Sequence, residues 1–436
     1  MVLATACCGS RLADASGRTQ IEGVRRGKGS DSVTEVRPPL RTTSFVVACG
    51  LSVTLVLTAC NASARPDVVP RDTSGTAPAS EPASSAARPA EAAPDLRVRT
   101  ITRGLDKAWD VQQATGGRLL VSERNRALIS VVRKGQRRVL ADLSSSVWVS
   151  IETGLMSMAV DPRRRVLWAC HGAETSGGHD VRVTRWRVNK AWTALSSART
   201  LISGFPTSTG RHGGCRLLLD RSTSALLIGT GDAAVGTNPR DLDSLGGKVL
   251  RVHRHTGAPM PDNPYADSSS DRRFVWTYGH RNVQGLAQRA DGSLWSVEHG
   301  PTQDDEVNRL VRGGDYGWNP VPGYEESVPM TDHGLPGTQQ DAAWSSGDST
   351  LATSGAAWVR GSQWGSLRGT LAVAALEDSQ MLFLRFNRKG GLVSVTRPSA
   401  MQQFGRLRSV TSARNGDLLV TTDNGGDDRI LRVSPR

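Results

Sequence analysis

The hydrophobic residues between positions 96 and 436 fall into short runs that are separated by polar, often glycine-containing turns. Six segments share one pattern: a small residue, a few apolar residues, a polar turn, and a second apolar run that ends in polar residues. This pattern predicts two short strands joined by a hairpin turn in each segment, and helical periodicity is weak throughout. The segments are DVQQATGGRLLVSER, GLMSMAVDPRRRVLWACHG, GGCRLLLDRSTSALLIGTGD, GLAQRADGSLWSVEHG, SGAAWVRGSQWGSLRGTLAVAAL and LRSVTSARNGDLLVTTDN.

The spacing of these segments, roughly 45 to 80 residues, suits a four-stranded blade with variable insertions. Six such units predict an all-β, six-bladed β-propeller over residues 96–436. A pair of β-sandwiches is the alternative, but it does not explain the repetition. The innermost strands of a propeller bring their ends to one face of the central channel. We therefore expect the polar motifs at the repeat ends to converge there: Glu152, His212, Arg281 with Asn282, Glu298 to Pro301, and Arg406 with Arg408.

The N-terminal part of the chain predicts export. Arg37 and Arg41 precede an apolar segment, Phe45 to Leu57, which is too short for a comfortable transmembrane helix. The segment ends in LTAC, which resembles the bacterial lipobox, whose cysteine is acylated and becomes the mature N-terminus. We therefore predict that residues 1–59 are an N-terminal extension and lipoprotein signal peptide, and that Cys60 is a lipidation site. An ordinary cleaved signal peptide is the alternative.

Residues 60–95 are rich in alanine, proline, serine and charge, and they are poor in large apolar residues. Such a segment cannot bury enough surface to fold, so we predict a disordered linker whose prolines favour extended conformations. An acylated cysteine carries more than one chain, which makes anchoring stable. The expected protein is lipid-anchored at the cell membrane, on its extracytoplasmic side, and has one folded domain from residue 96 to residue 436.

The charge composition is strongly basic. The chain has a formal net charge of +13 and an isoelectric point of about 10.1, and arginine supplies most of the basic residues. The basic residues form no dense block or helical stripe with interleaved aromatic residues, so we predict no nucleic-acid partner. A compositional bias of the genome explains the arginine content at least as well as a specific partner does. A net positive charge should still favour proximity to an anionic cell envelope.

Cysteine usage leaves two residues in the predicted domain. Cys7, Cys8 and Cys49 lie in the segment that is expected to be removed, and Cys60 is expected to carry lipid. Cys170 and Cys215 remain, in neighbouring repeats. They could form a disulfide in an oxidising compartment, and two buried small hydrophobic residues are the alternative.

The segment TGRHGGCRLLLD contains a histidine in an unusual setting. His212 follows an arginine and precedes two glycines, and RLLLD is typical of a short buried strand. A histidine there lies at the mouth of a strand, where a rigid scaffold can present it to a ligand. A solvent-facing histidine in a turn is the alternative that the segment alone leaves open.

Longer motifs carry a resemblance to a known family. The chain contains GHRNVQGLA, EHGPTQDDEVN and GGDYGWN, supported by LGGKVLRV, DNPY and HGGCRL. It resembles the soluble quinoprotein glucose/sorbosone dehydrogenases, which are six-bladed propellers that use pyrroloquinoline quinone (PQQ) and calcium. The resemblance implies an oxidoreductase that converts the C1 hydroxyl of an aldose sugar to a lactone by hydride transfer to PQQ. Electrons would then pass to a membrane quinone or a soluble acceptor.

The resemblance also implies roles for individual residues. His212 would be the general base that removes the sugar hydroxyl proton, a task that suits a group titrating near working pH. Hard oxygen donors suit Ca²⁺. The remaining implied residues bind the cofactor (Arg281, Asn282, Arg406, Arg408 and Glu152), bind the calcium ion at PQQ through carbonyl oxygens (Gly300 and Pro301), or form a second, structural calcium site (Glu306 and the carbonyl of Tyr316).

Two departures from the family pattern keep other functions open. Glu377 lies where glucose-oxidising members carry a lysine that reaches PQQ, and Arg211 lies beside the base where some members have aspartate. One alternative is a non-catalytic envelope propeller that binds polysaccharide or protein partners. Another is a calcium-dependent lactonase, which would need Glu, Asn and Asp side chains around one central ion. The arginine- and histidine-rich motifs argue against the lactonase.

Overall fold

The computed structural model describes residues 92–377 and 379–436, and these residues form six four-stranded antiparallel sheets. The prediction of an all-β, six-bladed propeller is confirmed. The strands are β1 Leu96–Leu105, β2 Ala108–Gln113, β3 Leu119–Glu123, β4 Leu128–Arg133, β5 Gln136–Asp142, β6 Leu155–Asp161, β7 Val166–Thr175, β8 Gly178–Val188, β9 Leu195–Phe205, β10 Arg216–Leu219, β11 Ala225–Gly229, β12 Lys248–His253, β13 Val275–Tyr278, β14 Val283–Gln288, β15 Leu294–Glu298, β16 Glu306–Leu310, β17 Trp344–Ser345, β18 Thr353–Trp358, β19 Leu371–Ala375, β20 Met381–Phe386, β21 Leu392–Thr396, β22 Leu407–Ser412, β23 Leu418–Thr422 and β24 Asp428–Pro435.

Five blades are built from consecutive strands, and the sixth closes the ring. Blades 1 to 5 contain β2–β5, β6–β9, β10–β13, β14–β17 and β18–β21. Blade 6 contains β22, β23 and β24, and its outermost strand is β1 from the start of the domain, which pairs antiparallel with β24 from Leu96↔Pro435 to Leu105↔Asp428. The two ends of the domain are therefore joined in one sheet, and the pairing of β1 with β24 closes the ring.

The six segments singled out in the sequence are the two innermost strands of the six blades. Each begins the blade on the channel side. The connection between its two strands is a short turn in five blades, whereas in blade 5 it spans residues 359–370 and contains a 3-10 helix. In the turn after β14, for example, the Asp291 carboxylate accepts hydrogen bonds from the backbone N–H and hydroxyl of Ser293. Helical structure in the described residues is limited to three 3-10 helices at Asp271–Phe274, Ser362–Leu367 and Ser399–Phe404.

The hydrophobic core lies between neighbouring blades. The first strand of each blade packs against the first strand of the next, so that β2, β6, β10, β14, β18 and β22 form a closed ring around a central channel. Apolar side chains of adjacent sheets interdigitate behind this ring, as Trp168 of blade 2 does with Leu226 and Leu250 of blade 3. A cavity of about 300 Å³, lined by residues of all six first strands, occupies the channel.

Strand direction gives the propeller two different faces. We call the face where the first strand of each blade begins the top face, and the face where it ends the bottom face. The second strand is antiparallel to the first and therefore ends at the top face. Residues just before a first strand and just after a second strand thus meet at the top mouth of the channel. The connections from the first strand to the second, and from the third strand to the fourth, lie at the bottom face.

Cys170 and Cys215 form a disulfide across 45 residues of sequence. Cys170 lies within β7 of blade 2, and Cys215 directly precedes β10 of blade 3, so the bond joins neighbouring blades. Both residues are fully buried. Of the two possibilities left open by the sequence, pairing is therefore the one observed. The bond also fixes the connection that carries His212.

The N-terminal predictions concern residues outside the described part of the chain. The signal peptide, Cys60 and nearly all of the linker precede residue 92. In the described residues, no helix has the length and apolar character needed to cross a membrane.

Candidate functional site

His212 lies at the top mouth of the channel in a constrained conformation. It is 3% exposed, and its φ of +50° is in the left-handed region, which a side-chain-bearing residue rarely adopts and which is enriched at functional sites. Its Nδ1 is 2.8 Å from Oδ1 of Asp232, which follows β11 of the same blade. The histidine is thus held by a hydrogen bond to a buried carboxylate and does not face solvent as a turn residue.

Asp232 is held in turn by two aromatic side chains. Its Oδ2 accepts hydrogen bonds from Trp318 Nε1 at 2.8 Å and from the Tyr324 hydroxyl at 2.7 Å. Burial, and next the charge of Asp232, raises the pKa of Tyr324, so the phenol stays protonated and donates. With its oxygens occupied as acceptors, Asp232 favours the tautomer of His212 with the proton on Nδ1. Nε2 then presents a lone pair and accepts no hydrogen bond from any described residue.

Glu152 and Asn282 hold the backbone around the histidine. One carboxylate oxygen of Glu152 accepts the backbone N–H of His212 at 3.2 Å and the side-chain amide of Asn282 at 3.3 Å. The Asn282 oxygen accepts the backbone N–H of Gly214 at 3.2 Å. These two predicted cofactor residues therefore meet beside the predicted base, and each bond found here positions the connection between β9 and β10.

Arg281 lies next to this network, and not all of its hydrogen-bond donors have a partner. Its backbone N–H donates to Glu298, its Nη1 donates to the backbone carbonyl of His299 at 3.2 Å, and its Nη2 donates to Glu326. The guanidinium is 5.7 Å from the centroid of the Trp318 ring. Its Nε is buried without a hydrogen-bond partner in the described residues.

His299 is a partly buried residue at this mouth, and its Nε2 atom is inaccessible to solvent. Its Nε2 has no hydrogen-bond partner in the described residues. Burial, followed by the charges of Arg408 and Arg281, holds its pKa well below the usual range, so the ring is neutral. Buried polar atoms are rarely left unpaired in native proteins. Two of them, on neighbouring residues that share a hydrogen bond, indicate that a ligand belongs here.

The two predicted clamp arginines have different surroundings. Arg408 on β22 is buried; its Nε and Nη2 donate to Asp423 at 3.0 and 2.7 Å, and its Nη1 donates to Gln284 at 3.1 Å. Burial acts to raise the pKa of Asp423, but the charges and hydrogen bonds of Arg408 and Lys107 together outweigh burial and lower it. Arg406 directly precedes β22, has a side chain 44% exposed, and approaches Glu377 only to 4.0 Å. Arg406 is thus free to bind a ligand, whereas Arg408 is already in an ion pair.

Two further cations lie at the top mouth. Arg124 follows β3, and burial together with the nearby charge of Arg408 lowers its pKa. Lys107 precedes β2 and is 3.1 Å from Asp423. Together with the three predicted arginines, they surround the mouth with cationic groups contributed by blades 1, 4 and 6. Such a set suits a ligand that carries several carboxylates.

Gly300 and Pro301 lie in the connection after β15, directly after His299. The backbone N–H of Gly300 donates to Asp305 at 3.0 Å, and a Cβ at this position would collide with the carbonyl oxygen of Gln303, so the tight turn requires glycine. No described residue donates a hydrogen bond to the carbonyl oxygens of Gly300 or Pro301. Two backbone oxygens next to His299, whose Nε2 is unpaired, are thus available as ligands for a cation.

The second predicted calcium site contains a buried carboxylate without a cationic partner. Glu306 accepts hydrogen bonds from Asn308 at 3.0 Å and Thr331 at 3.3 Å. Burial and the neighbouring Glu298 carboxylate raise its pKa. The Asn308 side-chain oxygen is buried and unpaired, and the Tyr316 carbonyl accepts no hydrogen bond from a described residue. The described part of the chain has no cluster of three or more His, Cys, Asp or Glu side chains that could hold a metal.

Neither of the two residues that depart from the family pattern makes a hydrogen bond or ion pair with the His212 side chain. The Glu377 side chain is 62% exposed at the rim. Arg211 turns its guanidinium to Glu326, with Nη2 2.6 Å from the carboxylate. Glu326 therefore pairs with both Arg211 and Arg281, and these hydrogen bonds outweigh its burial and lower its pKa.

Sequence reasoning missed Asp232, Asp423, Tyr324 and Glu326. Asp423 directly follows β23, and Asp232 lies shortly after the end of β11, so the rule that first-strand starts and second-strand ends share a face could have found them. Tyr324 and Glu326 lie in the long connection between β16 and β17, which returns to the top face. No repeat or strand pattern marks that return.

This fold and the residues at its mouth match a known family. The glucose/sorbosone dehydrogenase family model matches residues 105–432, from the last residue of β1 into β24. The chain belongs to this family. The match spans all six blades and every site residue described above, and the prediction of a dehydrogenase on a propeller scaffold is confirmed.

Individual members of the glucose/sorbosone dehydrogenase family are similar to the chain over the whole propeller. Aldose sugar dehydrogenase YliI of Escherichia coli is 29% identical over 364 residues, which cover 78% of this chain and 93% of that protein. The PQQ-bound aldose sugar dehydrogenase of Streptomyces coelicolor is 28% identical, with a TM-score of 0.67, and the match covers 79% of this chain and 100% of that chain. The soluble aldose sugar dehydrogenase of Escherichia coli in its apo form is 26% identical, with a TM-score of 0.70, and the match covers 78% and 100%.

Proposed function

We propose that this protein is a PQQ- and Ca²⁺-dependent sugar dehydrogenase that oxidises the C1 hydroxyl of an aldose to the lactone. One observation carries the proposal: the oriented His212–Asp232 pair lies at the same channel mouth as the unpaired Nε of Arg281 and Nε2 of His299. The His212–Asp232 pair can accept a proton, and the unpaired nitrogens of Arg281 and His299 can bind a polar ligand. Family membership and the PQQ-bound relative support PQQ as that ligand.

The residues of the chain would move the proton of the reaction. Oxidation of a C1 hydroxyl releases one proton and one hydride, and bound PQQ supplies the hydride acceptor. His212 accepts the hydroxyl proton at Nε2, because Asp232 keeps the other ring nitrogen protonated. The imidazolium that forms is stabilised by the same carboxylate. Tyr324 and Trp318 hold that carboxylate in place through their hydrogen bonds to its other oxygen.

The cationic groups at the mouth fit an anionic quinone cofactor. Arg281 would bind the quinone oxygens, where negative charge develops on reduction. Arg406 would bind a carboxylate as a guanidinium fork, with Arg408 as its predicted partner. Asn282 and Glu152 would lie beside the cofactor, because both belong to the hydrogen-bond network that holds His212.

Calcium is the proposed partner of the cofactor. The free carbonyl oxygens of Gly300 and Pro301 would hold an ion that polarises the quinone, and hard oxygen ligands suit Ca²⁺. Glu306 and the Tyr316 carbonyl would hold a second ion, because the buried carboxylate and the unpaired Asn308 oxygen lack a cation. A structural ion there would fix the segment that carries Trp318.

We further propose that the protein acts at the outer face of the cell membrane, anchored through lipid on Cys60. The lipobox-like LTAC and the polar segment after it support this location. A membrane quinone or a soluble acceptor would then receive the electrons.

One observation favours a second function, a non-catalytic propeller that binds envelope polysaccharide or protein. Arg281 is paired with Glu326, and Arg408 is paired with Asp423, so two of the arginines that would bind the cofactor already have acidic partners. In this alternative the mouth would bind no PQQ, and the cations would serve the scaffold only.

The test uses the propeller, residues 92–436, loaded with PQQ and Ca²⁺ and supplied with a panel of aldoses and an artificial electron-acceptor dye. Dye reduction by one or more aldoses, with lactone as product, is expected. Saturable loading without turnover on any aldose would reject aldose oxidation. Failure to load would reject the cofactor assignment and favour the non-catalytic propeller.

A further inference from the structure

Basic residues are concentrated in the connections at the bottom face. Nine hairpin connections lie there, apart from the two long ones after β12 and β16. They contain thirteen basic residues and three acidic ones. The basic residues come from all six blades: Arg118, Lys134, Arg163, Arg164, Arg165, Lys190, Arg221, Arg289, Arg360, Arg368, Arg388, Lys389 and Arg414.

The top face has the opposite balance. Among the described residues, its twelve connections contain eight basic and eleven acidic ones. Of the two long connections, the one after β12 contains equal numbers of basic and acidic residues. The one after β16 contains more acidic than basic residues, and it returns to the top face. A compositional bias of the genome would raise the arginine content of both faces equally. The asymmetry therefore requires a cause that acts on one face.

Many of the bottom-face cations are available to a partner. The side chains of Lys134, Arg163 and Arg388 are exposed and make no hydrogen bond or ion pair with the described residues. A depression of about 340 Å³ at this end of blade 2 is lined by Arg163, Arg164, Arg165, Arg185, Arg187 and His255. Burial, and next the neighbouring His253 and arginine charges, lowers the pKa of His255. Positive charge at this depression is thus concentrated and largely uncompensated.

The N-terminal strand enters the domain at the same face. Leu96 begins β1 and pairs with Pro435 at the end of β24, whereas Leu105 pairs with Asp428 at the top. Since β24 runs from the top face to the bottom face, β1 starts at the bottom. The described residues 92–95 therefore precede β1 at the basic face and not at the face with the channel mouth.

We propose that the bottom face docks onto a membrane surface rich in anionic phospholipid headgroups, which directs the top mouth away from the bilayer. Each basic residue near such a surface adds to the attraction. The cations come from all six blades, which suits an extended charged surface better than a polymer chain that follows one path. This inference goes beyond the proposed function, and it depends neither on PQQ nor on acylation of Cys60.

The first measurement is co-sedimentation of residues 92–436 with vesicles. This part contains all six closed blades, and the solved relatives match it along 99–100% of their own length, so it folds by itself. We expect binding to phosphatidylcholine vesicles with about one third phosphatidylglycerol at about 50 mM salt, and loss of binding at about 500 mM salt. No binding at low salt, or equal binding to pure phosphatidylcholine, would overturn the proposal.

Two triple variants with equal net charge then locate the surface. Lys134→Gln, Arg163→Gln and Arg388→Gln together remove three bottom-face charges, and about tenfold or greater weakening is expected. Arg103→Gln, Arg126→Gln and Arg397→Gln remove three charges at or near the top face, away from His212, and should weaken binding by less than about threefold. Equal losses in both variants would show that only the overall charge matters, and would overturn the docking surface.

A dye on either face tests the orientation. Ser222→Cys carries an environment-sensitive dye in the hairpin after β10 at the bottom face, and Ser176→Cys carries it after β7 at the top face. Both serines are exposed, and the two native cysteines of the fragment are in the disulfide. Vesicles should shift the emission of the Ser222→Cys label only. A shift at Ser176→Cys alone, or binding to heparin with none to vesicles, would reject the membrane surface.

Discussion

The His212 imidazole is 2.8 Å from the Asp232 carboxylate, and both residues belong to one hairpin of blade 3. His212 precedes β10, and Asp232 follows β11, so the antiparallel pairing of these strands brings the two residues together at the top mouth. The disulfide at Cys215 and the hydrogen bond from His212 N–H to Glu152 fix the same connection. The base and its orienting group are thus positioned by backbone structure before any ligand binds.

His212→Ala should remove the proton acceptor but leave the cofactor groups in place. We expect turnover to fall by about 10²–10⁴-fold, with PQQ affinity changed by less than about threefold. Dye-reduction rates at saturating aldose and a fluorescence titration with PQQ measure the two effects. Tyr324→Phe is the comparison: it removes a hydroxyl that donates to Asp232 and lies 2.9 Å from His212 Nδ1, but it leaves Nε2 as the proton acceptor and should cost far less. Full turnover in His212→Ala would exclude the histidine as the base.

Arg406 and Arg408 should respond differently to replacement. Arg406→Ala removes an exposed guanidinium and should weaken PQQ binding about tenfold without changing the unfolding midpoint in urea. Arg408→Ala leaves the buried Asp423 with only Lys107 as a charged partner, and should lower the free energy of unfolding by about 3 kcal/mol. Equal stability of the two variants would mean that the Arg408–Asp423 pair does not support the fold.

Glu326 should compete with the cofactor for Arg281. Its carboxylate pairs with Arg281 and Arg211 and is 31% exposed, so it can leave the arginine when a better anion arrives. Glu326→Gln should strengthen PQQ binding roughly three- to tenfold, measured by fluorescence titration.

Glu325→Gln is a matched control for that substitution, because the neighbouring carboxylate is exposed and accepts only the Ser327 N–H. It changes the net charge equally and should leave affinity unchanged. Weaker binding of PQQ to Glu326→Gln would show that Glu326 supports the site.

Calcium should stabilise the protein through Glu306. With free Ca²⁺ at about 100 times its dissociation constant, the free energy of unfolding should rise by about 2.7 kcal/mol over that in chelator. Glu306→Gln should lose this gain, and Mg²⁺ should not replace Ca²⁺, because it binds all-protein oxygen sites poorly. The unfolding midpoint in urea with Ca²⁺, Mg²⁺ or chelator gives the answer. A Ca²⁺ gain that persists in Glu306→Gln would place the ion elsewhere.

The parts predicted from the sequence are those that local patterns encode. The alternation in segments such as GLAQRADGSLWSVEHG indicated the inner hairpins, and their repetition indicated the propeller, because strand formation and turn chemistry are local. Convergence of His212, Arg281 and Asn282 followed from the geometry of a closed ring. The pairing of Cys170 with Cys215 needed the packing of two blades and stayed open.

The remaining site residues depend on contacts between distant segments. Arg406 and Arg408 are two positions apart, which predicts a shared side of the strand, but only the folded chain brings Asp423 to Arg408 and leaves Arg406 exposed. Tyr324 and Glu326 reach the mouth from a connection whose path is determined by tertiary packing. No spacing rule in one sequence predicts such a path.

Titration of residues 92–436 with PQQ in the presence of Ca²⁺ is the first measurement to make on the proposed cofactor site. Trp318 lies beside Arg281, so quenching of tryptophan fluorescence reports binding at the mouth. We expect saturable one-to-one binding, followed by aldose-dependent dye reduction by the same sample. If no binding is found even at high PQQ concentration, PQQ is not the cofactor. The unpaired nitrogens of Arg281 and His299 would then not be explained by binding of a quinone.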